Sequence, residues 1–339
     1  MNELPDLAAR RLGGSVMYAS DEFFADAQQL IAPGPAAHDP AAFGPRGKIY
    51  DGWETRRRRD AGSDFVIVRL AVPAIVRGVV IDTAHFKGNY PPHASVEATT
   101  ALGYPSVEEL LGAEWLPLLD KVDLAGDSLN EFPVEAPERL VTHVRLTIHP
   151  DGGAARFRVF GEVVPDPRRL GGRVDLAALA NGALVEACSN MFFAAPSNVL
   201  APGRAMAMSD GWETARRRDD GNDWLVVRLG APGVLHEAVI DTSCFLGNAP
   251  GWAALTDADS GALLLPRTRL LPDTEHRFRV AAAAPVARAR LDIYPDGGIA
   301  RLRLLGEVAH DVRPALADRW HGLLPAEVAA SVERADFFA

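Results

Sequence analysis

The chain has 339 residues, 48% of them hydrophobic, and a formal net charge of −10 at pH 7. This length exceeds one ordinary domain and suits two, each with enough apolar residues to bury a core. The acidic balance argues against general nucleic-acid binding, because a polyanion would meet a repelling surface, although clustered arginines could still bind a small anion.

The N-terminal residues and the cysteines indicate the cellular compartment in which the protein is expected. The first 14 residues lack an apolar core and carry charged side chains, so we expect no signal peptide. No stretch approaches ~20 uninterrupted apolar residues, so we expect no membrane span. Cys188 and Cys244 are too few for a secreted disulfide scaffold. They could pair, but two free thiols in a cytoplasmic protein are the favoured interpretation.

The chain contains an internal repeat of one sequence module. Asp51–Thr55 reads Asp-Gly-Trp-Glu-Thr and recurs as Asp210–Thr214, an offset of 159 residues, with arginines following in both copies. The offset falls to 145 at the later Pro-Asp-Gly-Gly motifs, so the second copy lacks 14 residues, which fall near positions 104–115 of the first. Those extra residues predict a loop or short helix peculiar to the first copy. A repeat this long predicts tandem duplication of a whole domain.

Short strands dominate the predicted secondary structure. β-Branched runs bounded by glycine or proline, and segments of alternating polar and apolar residues, are typical of strands. The clearest are, in chain order, Phe65–Val68, Val79–Ile81, His143–Ile148, Arg156–Phe160, Ala289–Ile293 and Arg301–Leu304. Many short strands joined by regular turns predict an all-β fold of two tandem antiparallel sandwiches.

The repeat divides the chain into three predicted parts. Residues 1–165 form the first sandwich and residues 173–312 the second, separated by the proline- and arginine-containing linker Pro165–Arg169. Residues 313–339 form a C-terminal tail. Within that tail, an early proline followed by good helix formers predicts a helix over Pro325–Ala330.

The ordered, duplicated set of motifs resembles the allantoicase family. The resemblance rests on Asp51–Arg59, Asp82–Ala98 and Pro150–Gly153, and it extends from Ser20 through Val308. It implies two jelly-roll-like sandwiches and hydrolysis of a C–N bond of allantoate, giving ureidoglycolate and urea in purine (allantoin) degradation. It also implies a homo-oligomer. No cofactor is firmly implied, and dependence on a divalent metal stays open.

This chemistry selects candidate site residues. A carboxylate substrate needs a cation, ideally arginine, and its ureido groups need amide or carboxylate partners. The departing urea nitrogen needs a general acid, and the attacking water needs a base. The catalytic candidates are Glu54, Asp82, His85 and Lys87. The substrate-binding candidates are Arg56, Arg58, Asn89 and His93.

Each candidate also has a structural interpretation. Arg56–Arg59 could be a charge run balanced by neighbouring acids, and Glu54 could pair with an arginine. Asp82 could anchor the turn that follows its strand through a backbone hydrogen bond. For metals, His85 and His93 could converge with Asp82, but isolated loop histidines are more often simply hydrogen-bonded, so no metal site is predicted.

The two copies differ in their polar residues. His85 of the first copy corresponds to Cys244, and Lys87 corresponds to Leu246. The first arginine of the run, Arg56, is replaced by alanine in the second copy. We therefore predict that the catalytic function lies mainly with the first copy. The alternatives are a non-catalytic sandwich that binds a carbohydrate or another small ligand, and a degenerate relative that has lost its site.

Overall fold

The computed structural model describes residues 4–280 and 282–338. These residues form two compact units. The first unit takes in the chain up to Val164 together with Leu323–Val332, and the second takes in Pro165–Gly322 and the chain from Glu333 onward. The tail therefore contributes residues to both units.

The first unit is built from antiparallel strands with little helix. Its strands are β1 Ser15–Ala19, β2 Phe43–Gly44, β3 Gly47–Lys48, β4 Trp53–Glu54, β5 Asp64–Asp82, β6 His93–Thr99, β7 Leu116–Asp123, β8 Leu129–Pro133, β9 Val141–His149, β10 Gly153–Ala154 and β11 Arg156–Val163. Its helical segments are the 3-10 turns Arg10–Leu12 and Ala27–Ile31, α1 Val107–Leu111, and α3 Ala326–Ala330 from the tail.

The long strand β5 ties this unit together. Its first half pairs with β1 and β9, and the sheet continues through β6 to β7. Beyond a register break between Arg69 and Ala74, its second half pairs with β11 on one side and β8 on the other. One strand thus serves both layers of a sandwich, and its carboxyl end at Asp82 delivers the polar loop 83–92 to one edge.

The second unit repeats this plan. Its strands are β12 Arg173–Asp175, β13 Leu184–Cys188, β14 Trp212–Glu213, β15 Asp223–Asp241, β16 Trp252–Asp257, β17 Leu263–Arg269, β18 Glu275–Arg279, β19 Val286–Tyr294, β20 Gly298–Ile299 and β21 Arg301–Val308. Its helical segments are α2 Arg313–Gly322 and the 3-10 turns Pro167–Arg169, Leu179–Asn181, Pro196–Leu200, Met208–Asp210 and Arg334–Asp336. The long strand β15 pairs with β13 and β19 in its first half and with β21 and β18 in its second.

The repeated Asp-Gly-Trp-Glu-Thr motif is an anchor of each core. Trp53 and Trp212 are 0% exposed, and each indole N–H donates to a backbone carbonyl at 2.7 Å. The buried rings of Phe86 and Phe245 press against the glycines of the Pro-Asp-Gly-Gly turn. A Cβ on Gly153 would lie 2.1 Å from the Phe86 ring, so that position requires glycine. This packing fixes the turn beside the strand that carries the motif's glutamate.

The fold bears out the predicted class and refines its elements. The all-β, two-sandwich prediction is confirmed, and so are a short helix peculiar to the first copy, α1, and a helix in the tail, α3. The prediction of separate strands at Phe65–Val68 and Val79–Ile81 is wrong, since both lie in the single strand β5. Both cysteines are free. Within the described residues, no helix is long and apolar enough to cross a membrane.

Candidate active site

A polar cleft opens in the first unit beside the motif's glutamate. Its volume is about 400 Å³. The lining residues come from four places: the turn before the 3-10 segment Ala27–Ile31, the segment that precedes β4, β4 itself, and the loop that follows β5. They are Phe24, Arg46, Lys48, Tyr50, Glu54, Gly88 and Asn89.

Among the described residues that line this cleft, Glu54 is the only one with a carboxyl group. The short strand β4 places it between two backbone partners, Gly153 of β10 and Ala25. Asn89 Nδ2 donates to Glu54 Oε1 at 2.7 Å. Burial raises the pKa of the Glu54 carboxyl above its ordinary value, and the hydrogen bond from Asn89 opposes that rise without cancelling it. A carboxyl held in this state can give up a proton and later take one back.

Two cations line the same cleft, Arg46 and Lys48. The Arg46 guanidinium donates to the Phe23 carbonyl oxygen at 2.6 Å and stacks over the Phe23 ring. The Lys48 ammonium lies 3.4 Å from His38 Nε2. Among the residues that the structure describes, neither cation forms an ion pair with a carboxylate. Both therefore keep their charge available for an anionic ligand.

Arg46, Lys48 and Tyr50 were not predicted from the sequence to be site residues. All three lie in the segment 35–50, which is longer than its counterpart, residues 204–209 of the second copy. Gly34 and Gly203 occupy matching places, because each carbonyl accepts from the arginine that begins the last long strand of its copy. From these glycines to the motif's aspartate, the first copy is ten residues longer. That difference in spacing was the one available signal for the segment.

The predicted catalytic residues other than Glu54 surround the cleft without lining it. Asp82 is 7% exposed, and its carboxylate accepts from the backbone N–H of Ala84 at 2.8 Å, which anchors the turn after β5. Lys87 is exposed, and its ammonium lies 3.6 Å from the Asp127 carboxylate. His85 lies behind the segment 35–50, where its Nε2 donates to a backbone carbonyl.

The predicted binding residues divide into two groups. Asn89 lines the cleft, while the other three lie elsewhere and have carboxylate partners. Arg56 pairs with Asp21 at 2.6 Å, and Arg58 pairs with Asp60 and with Asp64, the latter at 2.7 Å. His93 lies on β6, 3.2 Å from Asp123. Arg56 and Arg58 line a separate shallow groove of about 340 Å³ formed by the arginine run and its acidic partners.

The corresponding place in the second unit keeps the glutamate–asparagine pair but lies beside a shorter segment, residues 204–209. Asn248 donates to Glu213 as Asn89 does to Glu54. The neighbour of Asn248, however, is the sulfur of Met208, at 3.6 Å. Leu246, which stands where the first copy has Lys87, is 72% exposed. Across both units, the described residues contain no group of three or more His, Cys, Asp or Glu side chains placed to hold a metal ion.

Comparison with known proteins identifies the family. The model of the allantoicase repeat matches residues 5–164 and 174–309. A probable allantoicase from Nocardia farcinica is 56% identical over 90% of this chain and 95% of its own length. One from Streptomyces avermitilis is 48% identical over 94% and 89%. The crystal structure of allantoicase from Saccharomyces cerevisiae superimposes with a TM-score of 0.78 at 34% identity, covering 89% of this chain and 92% of that one. The chain therefore belongs to the allantoicase family and is a hydrolase of that type.

Proposed function

We propose that the protein hydrolyses allantoate to ureidoglycolate and urea in the cleft of the first unit. One observation carries the proposal. Glu54, whose pKa is raised by burial, shares a cleft with Asn89 and with two cations, Arg46 and Lys48, that have no carboxylate partner among the described residues. This combination suits a small carboxylate that carries ureido groups.

Binding follows from the charges in the cleft. Arg46 and Lys48 hold the substrate carboxylate through charge-assisted hydrogen bonds, which are the strong ones in a partly desolvated site. The Arg46 guanidinium is held in place by the Phe23 carbonyl and ring, so its orientation is set before substrate arrives. The amide of Asn89, already oriented by Glu54, offers its carbonyl oxygen to a ureido N–H.

The first chemical step is loss of urea. Protonated Glu54 gives its proton to the nitrogen of the departing ureido group while the bond from that nitrogen to the central carbon breaks. The lone pair of the remaining ureido nitrogen forms a C=N double bond to the central carbon. Glu54 is now ionised and faces the resulting acyliminium cation, which its negative charge stabilises.

The second step is addition of water. Water attacks the central carbon, and ionised Glu54 takes the proton that the water loses, so the carboxyl returns to its starting state. One water is consumed, and ureidoglycolate and urea leave. A carboxyl whose pKa is raised suits both roles, because it holds a proton near neutral pH more readily than an exposed glutamate does.

Isotope labelling tests the reaction. Purified protein is incubated with allantoate in ¹⁸O-water, with and without a chelator, and the products are measured by mass spectrometry. We expect ¹⁸O in the hydroxyl of ureidoglycolate and none in urea. Label in carbon dioxide with release of ammonia would mean attack at a ureido carbonyl instead. Absence of any product at high protein concentration would favour the non-catalytic or degenerate alternative.

Several expectations from the sequence stay predictions: a homo-oligomeric assembly, a cytoplasmic location, and roles for Arg56, Arg58, Asp82, Lys87 and His93. A comparison of rates with and without chelator decides on the divalent metal, and restored activity on adding Mn²⁺ or Zn²⁺ would establish a metal-dependent enzyme.

A further inference from the structure

The segment 35–50 is attached to the rest of the first unit by stacked rings. The His38 ring stacks on His85, with centroids 4.9 Å apart and planes 17° apart. On the other side, Tyr50 stacks on Phe86 at 4.7 Å, and His38 lies 6.2 Å from Tyr50. His85 Nε2 also donates to the carbonyl oxygen of Ala36 at 3.3 Å. Two rings of the loop after β5 thus hold two rings of the segment that lines the cleft.

The second copy separates the role of the His85 side chain from that of its backbone. His85 and Cys244 both have φ of 71°, an unusual left-handed conformation for residues with a Cβ. In both copies an aspartate carboxylate fixes that conformation by accepting from the backbone N–H, Asp127 in the first and Asp273 in the second. The backbone is therefore the same with histidine or cysteine, and the imidazole has its ring partner only where the longer segment is present.

We propose that His85 is a positioning residue, which docks the segment 35–50 through ring stacking and thereby holds Lys48 and Tyr50 at the cleft. This inference rests on the proposed function, since the role of Lys48 is to bind the substrate carboxylate. His85 itself lies outside the cleft lining. His85 affects substrate binding indirectly, through His38, whose ring contacts both His85 and the Lys48 ammonium.

The charges around His38 are consistent with this arrangement. Desolvation, together with the nearby Lys48, lowers the pKa of the His38 imidazole below its ordinary value. The neutral ring can accept a hydrogen bond from the Lys48 ammonium, which is 3.4 Å from Nε2. A stacked, neutral His38 therefore directs the ammonium while leaving its positive charge intact.

Two substitutions at one position test the proposal. His85→Ala removes the ring, and we expect KM for allantoate to rise about tenfold with kcat changed less than about threefold, because docking acts on binding in ground and transition states alike. His85→Phe keeps a ring for His38 and removes both nitrogens, and we expect KM within about threefold of the parent protein. Cys244→Ala is the matched control at the same backbone conformation, and no change in KM is expected.

A second readout does not depend on activity. Trypsin cuts after Arg46 and Lys48, and the rate of these cuts, followed by mass spectrometry of native protein, reports release of the segment. We expect faster cutting in His85→Ala, and cutting at the parent rate in His85→Phe and Cys244→Ala. If His85→Phe is impaired as severely as His85→Ala in both readouts, the positioning role by stacking is overturned. If the parent protein releases no urea from allantoate, the proposed function fails, and the tryptic rates still decide whether His85 docks the segment.

Discussion

The surroundings of Glu54 and Glu213 show what each copy of the module provides. Both copies hold the glutamate on a two-residue strand, with the tryptophan beside it buried and an asparagine donating to its carboxylate. In the first copy the segment before the motif is ten residues longer than in the second, and it brings Arg46 and Lys48 to the cleft. The motif that makes the repeat visible is thus a shared scaffold. The features that suit an anionic substrate lie in the part that the copies do not share.

The difference extends to the surface around each glutamate. In the second unit Met206, Met208 and Leu246 are exposed apolar side chains, and Met208 contacts Asn248. Arg46 and Lys48 belong to the longer form of this segment, which is found in the first copy. We therefore expect substitutions of equivalent residues in the two copies to have unequal effects on catalysis, and similar effects on stability wherever the scaffold is shared.

The largest inequality should appear at the two glutamates. Glu54→Gln removes the proton donor and acceptor, and we expect kcat to fall about 10³-fold. Glu213→Gln should leave kcat within about twofold, since no reaction depends on it. Because burial raises the pKa of Glu54, activity that requires its protonated form should decline with rising pH above the range of an ordinary carboxyl group. Steady-state kinetics of urea release across pH measures both effects, and equal losses in the two variants would contradict the asymmetry.

Stability should respond alike in both copies at the arginine run. Arg58 pairs with Asp64, which is 2% exposed, and Arg217 pairs in the same way with Asp223, which is 1% exposed. Arg58→Ala leaves a buried carboxylate without its cation and should lower the free energy of unfolding by about 3 kcal/mol. Arg217→Ala should also destabilise. Urea-induced unfolding gives these values. A loss of activity per folded molecule in Arg58→Ala alone would instead support the predicted role of Arg58 in substrate binding.

Acid should distinguish the two copies through His143. This residue is 1% exposed, and burial, aided by Arg69, lowers its pKa from 6.5 to about 4. Between pH 6.5 and 4 the unfolded chain binds a proton at His143 and the folded chain does not. The free energy of unfolding is therefore highest above pH 6.5 and decreases as the pH falls toward 4. The expected loss at pH 5 is about 2 kcal/mol. The matching residue of the second copy is Arg288, which is half exposed.

A variant and a matched control isolate the contribution of that histidine. His143→Gln should remove most of the pH dependence of the free energy of unfolding between pH 7 and 5. Denaturant titrations at several pH values measure it, with Arg288→Gln as the control that leaves the slope unchanged. An unchanged slope in His143→Gln would mean that other groups cause the acid sensitivity.

A smaller effect is expected at Lys48. Lys48→Ala removes one of two cations for the substrate carboxylate, so KM should rise about tenfold while kcat changes little. Lys121, an exposed lysine on β7 of the same unit, gives the matched control, and Lys121→Ala should leave KM unchanged. An unchanged KM in Lys48→Ala would mean that the substrate carboxylate binds to Arg46 alone or to another part of the protein.

The sequence was sufficient for the fold and for part of the cleft. Duplication and alternating patterns predicted two β-sandwiches, and the repeated glutamate and asparagine were both named as candidates. What the sequence could not show is that Glu54 and Asn89, 35 residues apart, share one hydrogen bond. Nor could it show that Asp21, also 35 positions away from its partner, neutralises Arg56. Such pairings arise from packing between strands that local patterns do not encode.

The cations of the cleft were missed for a different reason. Arg46 and Lys48 lie in a segment whose length and sequence differ from those of its counterpart in the second copy, so the repeated motifs do not point to them. The run Arg56–Arg59 was predicted to bind substrate because it concentrates positive charge. A concentration of charge does not mean that the arginines are free to bind a ligand, because Asp21, Asp60 and Asp64 already form ion pairs with two of them.

A structure of Glu54→Gln soaked with allantoate tests the location of the site most directly, because this variant should bind substrate without turning it over. We expect allantoate in the cleft of the first unit, with its carboxylate at Arg46 and Lys48 and a ureido group beside Asn89, and none at Glu213. Allantoate bound beside Glu213, or in the groove of the arginine run with the cleft empty, would contradict the assignment of the active site to the first copy.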